Sequence, residues 1–336
     1  MVREELVTFI ENAKADKDKE LAKLVTPYDE FLLHGQYACA NDQVEKALRS
    51  FKECVRLRQD SFVAQCALGR IYMVQGQFAK AEKRIRKAAE IDPGNIKNNI
   101  TLLYLLNKTK SDPVSIESLQ YRLTAYVKNC ARNLGFTGII NPDIVNLSSV
   151  KKLWFRKNSS VDRANFNNND FVVLDEVLPE DFSELIRLQQ IHAVRTGKMG
   201  HQPDLKRYGL SDLSLPVIAN YQLANLVSQI INQPVIPTYT FAIHYMPGGY
   251  ISAHTDRPQN EISMSLSLGN LPPDGTSHLF AHHQGEKISI PLKSNSALLY
   301  RGARVTHGRD PVPADCTVDQ AIFGFRTIHK NHCYCI

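Results

Sequence analysis

The sequence predicts a multidomain α + β chain, an α-helical repeat followed by a double-stranded β-helix (jelly-roll). Three observations carry that expectation. Gly35 and Gly69 stand 34 residues apart, and so do Ala47 and Ala81. Apolar residues keep a helical period from Asp29 to Leu106. After Asp170 the period changes to two, in short segments separated by Gly, Pro and Asn turns. The expected divisions are an N-terminal helix over 1–29, helical repeats over 30–134, a linker over 135–169, the jelly-roll over 170–328 and a tail over 329–336.

The N-terminal segment places Val2, Leu6, Phe9 and Ile10 on one side of a short amphipathic helix. It mixes acids and bases and lacks an apolar core, so it does not read as a secretory signal. In the repeat region, Leu68-Gly69, Tyr72, Ala81, Ala88 and Pro93 form the clearest copy. This pattern resembles a tetratricopeptide repeat, in which small residues let paired helices approach and proline ends the second. The preceding copy is looser, matching at Phe31, Gly35, Ala47 and Phe51, with Ala38 where a large aromatic is usual. A third copy starts near Ile96 and supplies only its first helix. Such units need stacked neighbours, and self-association or a protein partner through the repeats is expected. Ser115–Leu134 reads as one more helix, Asn158–Asn169 as a polar connection, and Trp154 as a packing residue before it.

Composition bounds the function classes. Of the 336 residues, 43% are hydrophobic and 22% charged, as in globular proteins. No apolar run approaches the roughly 20 residues that span a bilayer, so no membrane role is expected. The net charge is +6, and the surplus lies in front: Glu30–Lys110 holds 14 basic and 8 acidic residues, Phe166–Ile336 13 and 15. The basic surplus is spread along helices as a solvated face, and the slightly acidic second half argues against a nucleic-acid channel. The 7 cysteines form no disulfide framework, which points to a reducing, cytoplasmic setting. Cys333 and Cys335, near His329 and His332, have soft-metal chemistry but lack zinc-site spacing, and a plain tail is the default.

The second half opens with a strand at Phe171–Leu178 and a helix after Pro179, then a helix over Ser214–Ile231. Strands follow at Tyr239–Tyr245, Glu261–Leu268, Ser277–Ala281, Lys287–Leu292, Ala297–Arg301 and Val318–Ile328. Val194–Tyr208 is polar and Gly-containing, with the character of a lid.

His254 and Asp256 carry the chemistry. Two residues apart on extended backbone, they point the same way and can chelate one ion. His307, 53 residues later with several strands between, is placed to return beside them. Two imidazoles and a carboxylate leave adjacent coordination positions open, as ferrous oxygenases require. A His-x-Asp pair alone occurs by chance in a chain with 11 histidines, so the context decides. Strand histidines are ordinarily packing or surface residues, and His244, His278, His282 and His283 are read that way.

Tyr245, Gly248, His254-x-Asp256, the Leu-Leu-Tyr-Arg-Gly segment before His307 and the terminal Ala321-Ile-Phe-Gly-Phe-Arg326 together resemble the 2-oxoglutarate/Fe(II)-dependent dioxygenase superfamily, in its prolyl-4-hydroxylase-like branch. The match covers Asp170 to Ile328. It implies Fe(II) on His254, Asp256 and His307, with 2-oxoglutarate and O2 as co-substrates. It implies hydroxylation of an unactivated C–H bond, coupled to conversion of 2-oxoglutarate to succinate and CO2. Asp256 itself favours hydroxylation, desaturation or ring closure over halogenation, which usually needs a small residue there. The branch places its 2-oxoglutarate cation about ten residues after the distal histidine, where this chain has Thr317. Arg326 and Arg309 both remain candidates, and Tyr245 matches a family tyrosine that helps hold 2-oxoglutarate. The ordinary readings are surface charges near strand ends and a core aromatic.

The substrate is an amino acid, peptide or protein on the first reading, with the repeats holding the target. A small-molecule natural-product oxidase is the alternative, and a cupin-like metal protein or non-catalytic scaffold with a degenerate oxygenase domain is a third. Arg257, directly after Asp256, faces an anionic substrate or pairs with Glu261.

Overall fold

The computed structural model describes residues 26–145, 159–272 and 278–333. The expected N-terminal helix, Trp154 and Cys335 lie outside them. Two compact units result, one of residues 1–113 with 328–336 and one of 114–327.

The first unit is built from helices whose starts are written locally. α1 (Pro27–Ala40) opens on a capping box between Thr26 and Asp29, with proline in its first turn. α2 (Val44–Leu57) turns back on it. α3 (Phe62–Val74) is capped by Ser61 and α5 (Ile96–Thr109) by Asn95, each side chain accepting from a first-turn N–H. α4 (Phe78–Ile91) pairs with α3 as α2 does with α1. The 34-residue repeat has a direct packing cause. A Cβ on Gly35 would meet the Phe51 ring at 2.8 Å, and one on Gly69 would meet Ile85 at 2.5 Å. Phe51 and Ile85 are fully buried and stand 34 residues apart themselves. Each glycine thus lets the second helix of its pair press a large side chain against the first.

Two boundaries differ from expectation. The helix expected to extend the repeats is α6 (Pro113–Asn133), which groups with the second unit from Val114 onward. The repeats therefore end with α5, where Lys110 takes a left-handed conformation. The tail does not stand apart from the rest of its unit. The His329 N–H donates to the Val74 carbonyl, the Cys333 N–H to Asp42, and the Cys333 sulfur lies 3.6 Å from that of Cys39. The sequence offered no signal for this, because the partners are 255 to 294 residues apart.

In the second unit, part of the expected linker is helical. α7 (Ser159–Asn169) packs on β1 (Phe171–Leu174) and on α9 (Ser214–Ile231), with Phe166 fully buried. The strand expected to reach Leu178 stops at Leu174. α8 (Glu180–Arg195) follows Pro179, its first-turn acids complementing the helix N-terminus. The stretch read as a lid is a hairpin, β2 (Gly200–Gln202) and β3 (Arg207–Ser211), around a short 3₁₀ turn. Its strand pairing was hidden by its polar composition.

Eight strands complete the fold: β4 (Val235–Tyr245), β5 (Ile251–His254), β6 (Ile262–Leu271), β7 (His278–His283), β8 (Glu286–Pro291), β9 (Ala297–Tyr300), β10 (His307–Arg309) and β11 (Thr317–Thr327). A seven-stranded sheet runs β1-β9-β6-β11-β4-β3-β2, and a four-stranded sheet runs β5-β10-β7-β8. All pairings are antiparallel. From β4 onward the chain passes back and forth between the sheets, apart from the β7–β8 hairpin within the smaller one, which is the jelly-roll winding. α8 and α9 cover the outer face of the larger sheet, so Met264, Leu266, Phe323 and Phe325 are buried on that side. The inner face of β6 instead carries Ser263, Ser265 and Ser267, all buried. Among the described residues no helix is long and apolar enough to cross a membrane.

Phe51→Ala removes a fully buried ring opposite Gly35. The expected cost is about 3–5 kcal/mol, read from chemical denaturation as a lower midpoint of the repeat unit's transition.

Candidate metal centre

β5 and β10 are neighbours in the smaller sheet, and their register sets His307 directly opposite His254. Asp256 follows β5 by two residues, and its N–H donates to the Gly302 carbonyl just after β9. The three side chains come together. Asp256 Oδ1 lies 3.9 Å from His254 Nε2 and 3.8 Å from His307 Nε2. Among the described residues this is the only His/Cys/Asp/Glu group whose ligand atoms converge this closely.

Neighbouring hydrogen bonds prepare these atoms for a metal. His254 Nδ1 lies 2.9 Å from the Ser252 carbonyl, and His307 Nδ1 is 2.9 Å from that of Val305. A carbonyl can only accept, so each Nδ1 carries the proton and each Nε2 presents its lone pair. Burial pushes the His307 imidazole below its ordinary pKa, against the opposing pull of Asp256, which favours the neutral, ligating form. Cis ligands on a first-row ion lie about 3 Å apart, given bonds of about 2.1 Å. The set closes on such an ion with movements of less than about 1 Å, so the residues fit ferrous iron.

Asp256 is held from its other oxygen. The Ser263 hydroxyl donates to Oδ2, and a Cβ on Gly302 would stand 2.5 Å from that oxygen, 2.7 Å from Ser263 Oγ and 2.5 Å from the Asn260 carbonyl. Oδ1 is therefore the oxygen turned towards both histidines. Tyr300, fully buried, packs at a 52° tilt against the His307 ring, centroids 4.3 Å apart, and meets the Ser265 hydroxyl. Burial, with the nearby Asp256 charge, raises its phenol well above the ordinary value, so it remains a neutral donor.

A polar cluster lies beside the metal residues. Arg309, two residues or roughly 7 Å beyond His307 on β10, is buried and donates to Gln320 on β11. Its guanidinium hydrogen-bonds Tyr245 and sits over that ring, 5.1 Å from the centroid. Burial lowers its pKa from the usual arginine value. Arg309 and Tyr245 are thus brought together. Arg326, also buried, stands six residues beyond Gln320 on β11, roughly 20 Å along the strand. Arg257 is exposed, and Glu261 accepts from Thr327 instead of pairing with it. Sequence reading did not single out Ser263, Gln320 or Arg207, and it named Tyr300 and Gly302 only within the Leu-Leu-Tyr-Arg-Gly segment, without a role. The Ser-x-Ser-x-Ser alternation at 263–267 was the one available signal, and it reads equally well as a solvated strand face.

Residues 62–95 match the tetratricopeptide repeat family. No curated protein sequence matches the chain. Similar solved structures include a Pseudomonas putida prolyl-4-hydroxylase, at 11% identity over 50% of this chain and 98% of that one, with a TM-score of 0.43. A Trichoplax adhaerens prolyl hydroxylase bound to a hypoxia-inducible-factor peptide fragment shows 16% identity over 50% and 90%, with a TM-score of 0.41. HygX from Streptomyces hygroscopicus, with nickel, 2-oxoglutarate and hygromycin B, shows 12% identity over 52% and 88%, with a TM-score of 0.40. Fold and site together define a helical-repeat chain whose jelly-roll carries a two-histidine, one-carboxylate centre.

Two substitutions test how Asp256 is held. Ser263→Ala should weaken Fe(II) or Mn(II) binding about 10-fold with little change in circular dichroism. Gly302→Ala should weaken it further, since its methyl group displaces the carboxylate itself; calorimetric titration with Mn(II) measures both.

Proposed function

We propose that the chain is an Fe(II)- and 2-oxoglutarate-dependent oxygenase that hydroxylates an unactivated C–H bond. The observation that carries this reading is the convergence of His254, Asp256 and His307 within the jelly-roll, with both Nε2 lone pairs directed by backbone carbonyls. His254, Asp256 and His307 would hold the metal. When bound, the iron supplies O2 activation coupled to decarboxylation of 2-oxoglutarate.

The protein's own contribution is placement. Ser263 and Gly302 fix which Asp256 oxygen is offered. Arg309, Tyr245 and Gln320 form a buried donor cluster one short co-substrate length from His307, suited to the far carboxylate of 2-oxoglutarate. That favours Arg309 over Arg326 as the co-substrate cation. The buried serines on β6 and the Tyr300 hydroxyl line the interior with neutral donors, and the helices behind the larger sheet keep water from it.

For the substrate we favour an amino acid, peptide or protein. The tetratricopeptide match supports it, since helical repeats offer extended surface for a polypeptide.

Anaerobic addition of Fe(II) and 2-oxoglutarate should produce a weak visible charge-transfer band in the wild type and none in His254→Ala. Absence of the band, and of succinate formation with every substrate pool tried, would sink the oxygenase reading. Between the arginines, Arg309→Gln should raise the 2-oxoglutarate concentration for half-saturation at least about 10-fold. Arg326→Gln should raise it less.

A further inference from the structure

The Tyr245 hydroxyl has a second cationic neighbour that the eight-stranded winding does not supply. Arg207 lies on β3, in the hairpin added to the edge of the larger sheet, and its register sets it opposite Tyr245. Val318, Tyr245, Arg207 and Gln202 are successive cross-strand partners, one row across four strands. Arg207 is 7% exposed. Its Nε donates to Gln202 at 2.7 Å and its Nη1 to the Tyr245 hydroxyl at 3.3 Å. The guanidinium also lies 5.9 Å from the Phe241 ring centroid and 5.7 Å from that of Tyr245.

Every one of these partners is neutral. No carboxylate among the described residues pairs with Arg207. Burying a guanidinium against neutral groups alone is costly, and ring faces offset only part of that cost. A second guanidinium on the same phenol, that of Arg309, adds like-charge repulsion. An anion between them removes both penalties at once. Arg207 still has N–H donors beyond its bonds to Gln202 and Tyr245, in the planar arrangement that matches a carboxylate.

We propose that Arg207 is a second co-substrate-binding residue, sharing with Arg309 and the Tyr245 hydroxyl one carboxylate, the far one of 2-oxoglutarate. The clamp presupposes the iron and 2-oxoglutarate reading of the site and adds a residue to it. It also gives the β2–β3 hairpin a definite task. The backbone carbonyls of Lys206 and Leu205 accept from Met246 and Tyr250, in the loop leading to β5 and His254. The hairpin that carries Arg207 is therefore tied to the segment that carries the first metal ligand. A 2-oxo acid without a second carboxylate would leave the buried Arg207 with neutral partners alone, so the site selects a dicarboxylic co-substrate.

The test compares two probes by anaerobic calorimetric titration into the Mn(II)-loaded full chain. One is 2-oxoglutarate; the other is 2-oxopentanoate, which keeps the chelating end and has a methyl group for the far carboxylate. The wild type should prefer 2-oxoglutarate by at least about 100-fold. Arg207→Gln should lose about 10- to 100-fold in 2-oxoglutarate affinity while 2-oxopentanoate changes by less than about 3-fold. Arg207→Lys should recover part of the loss, and it keeps the buried charge should the glutamine variant fold poorly. An unchanged 2-oxoglutarate affinity in a folded variant, or an equal loss for both acids, overturns the clamp and leaves the oxygenase reading standing. A wild type that binds metal but neither acid overturns both.

Discussion

The pairing of β5 with β10 is the constraint on which the candidate centre depends. That register alone sets His254 against His307, and it exists only because the chain winds between two sheets and returns. Asp256 then needs a fixed rotamer, supplied by the Ser263 hydroxyl and by the missing side chain at Gly302. A slip of one residue in either strand would turn a ligand to the opposite face. Rigidity elsewhere in the second unit serves this pairing. The helices behind the larger sheet bury its outer apolar face, and Tyr300 packs the His307 ring from the inside.

The interior of the sandwich is unusually polar for a buried space. Ser263, Ser265, Ser267, Gln320, Arg309 and Arg207 are all buried, whereas the outer face of β6 carries Ile262, Met264 and Leu266. A core built for stability alone would reverse that choice, because each buried polar group must find a partner. The donors instead converge beside the metal ligands, where a chelating acid of both oxo and carboxylate character would answer them. Charge makes the same point, since these cationic donors are buried within 166–336, a stretch whose overall balance is slightly acidic.

The repeat unit obeys a simpler rule. Glycine in the first helix of a pair faces a large side chain from the second, at Gly35 against Phe51 and at Gly69 against Ile85. The rule is local in sequence, so its period can be read directly. It says nothing of the tail, whose Cys333 meets Cys39 only after the whole chain is in place.

By itself, the sequence determined what depends on short-range order. The change of period near Asp170, the 34-residue repeat and the common direction of His254 and Asp256 all follow from patterns within one helix pair or one strand. Tertiary structure decided whatever depends on register between distant strands. It assigned α6 to the second unit and made α7 a helix where a linker was expected. It turned the serines of β6 inward, which a period of two cannot distinguish from outward. It separated Arg309 from Arg326, equivalent in one dimension but roughly 20 Å apart along β11 from the Gln320 contact. It also brought in Arg207, a residue without a motif, because cross-strand pairing with Tyr245 is invisible until the sheet is assembled.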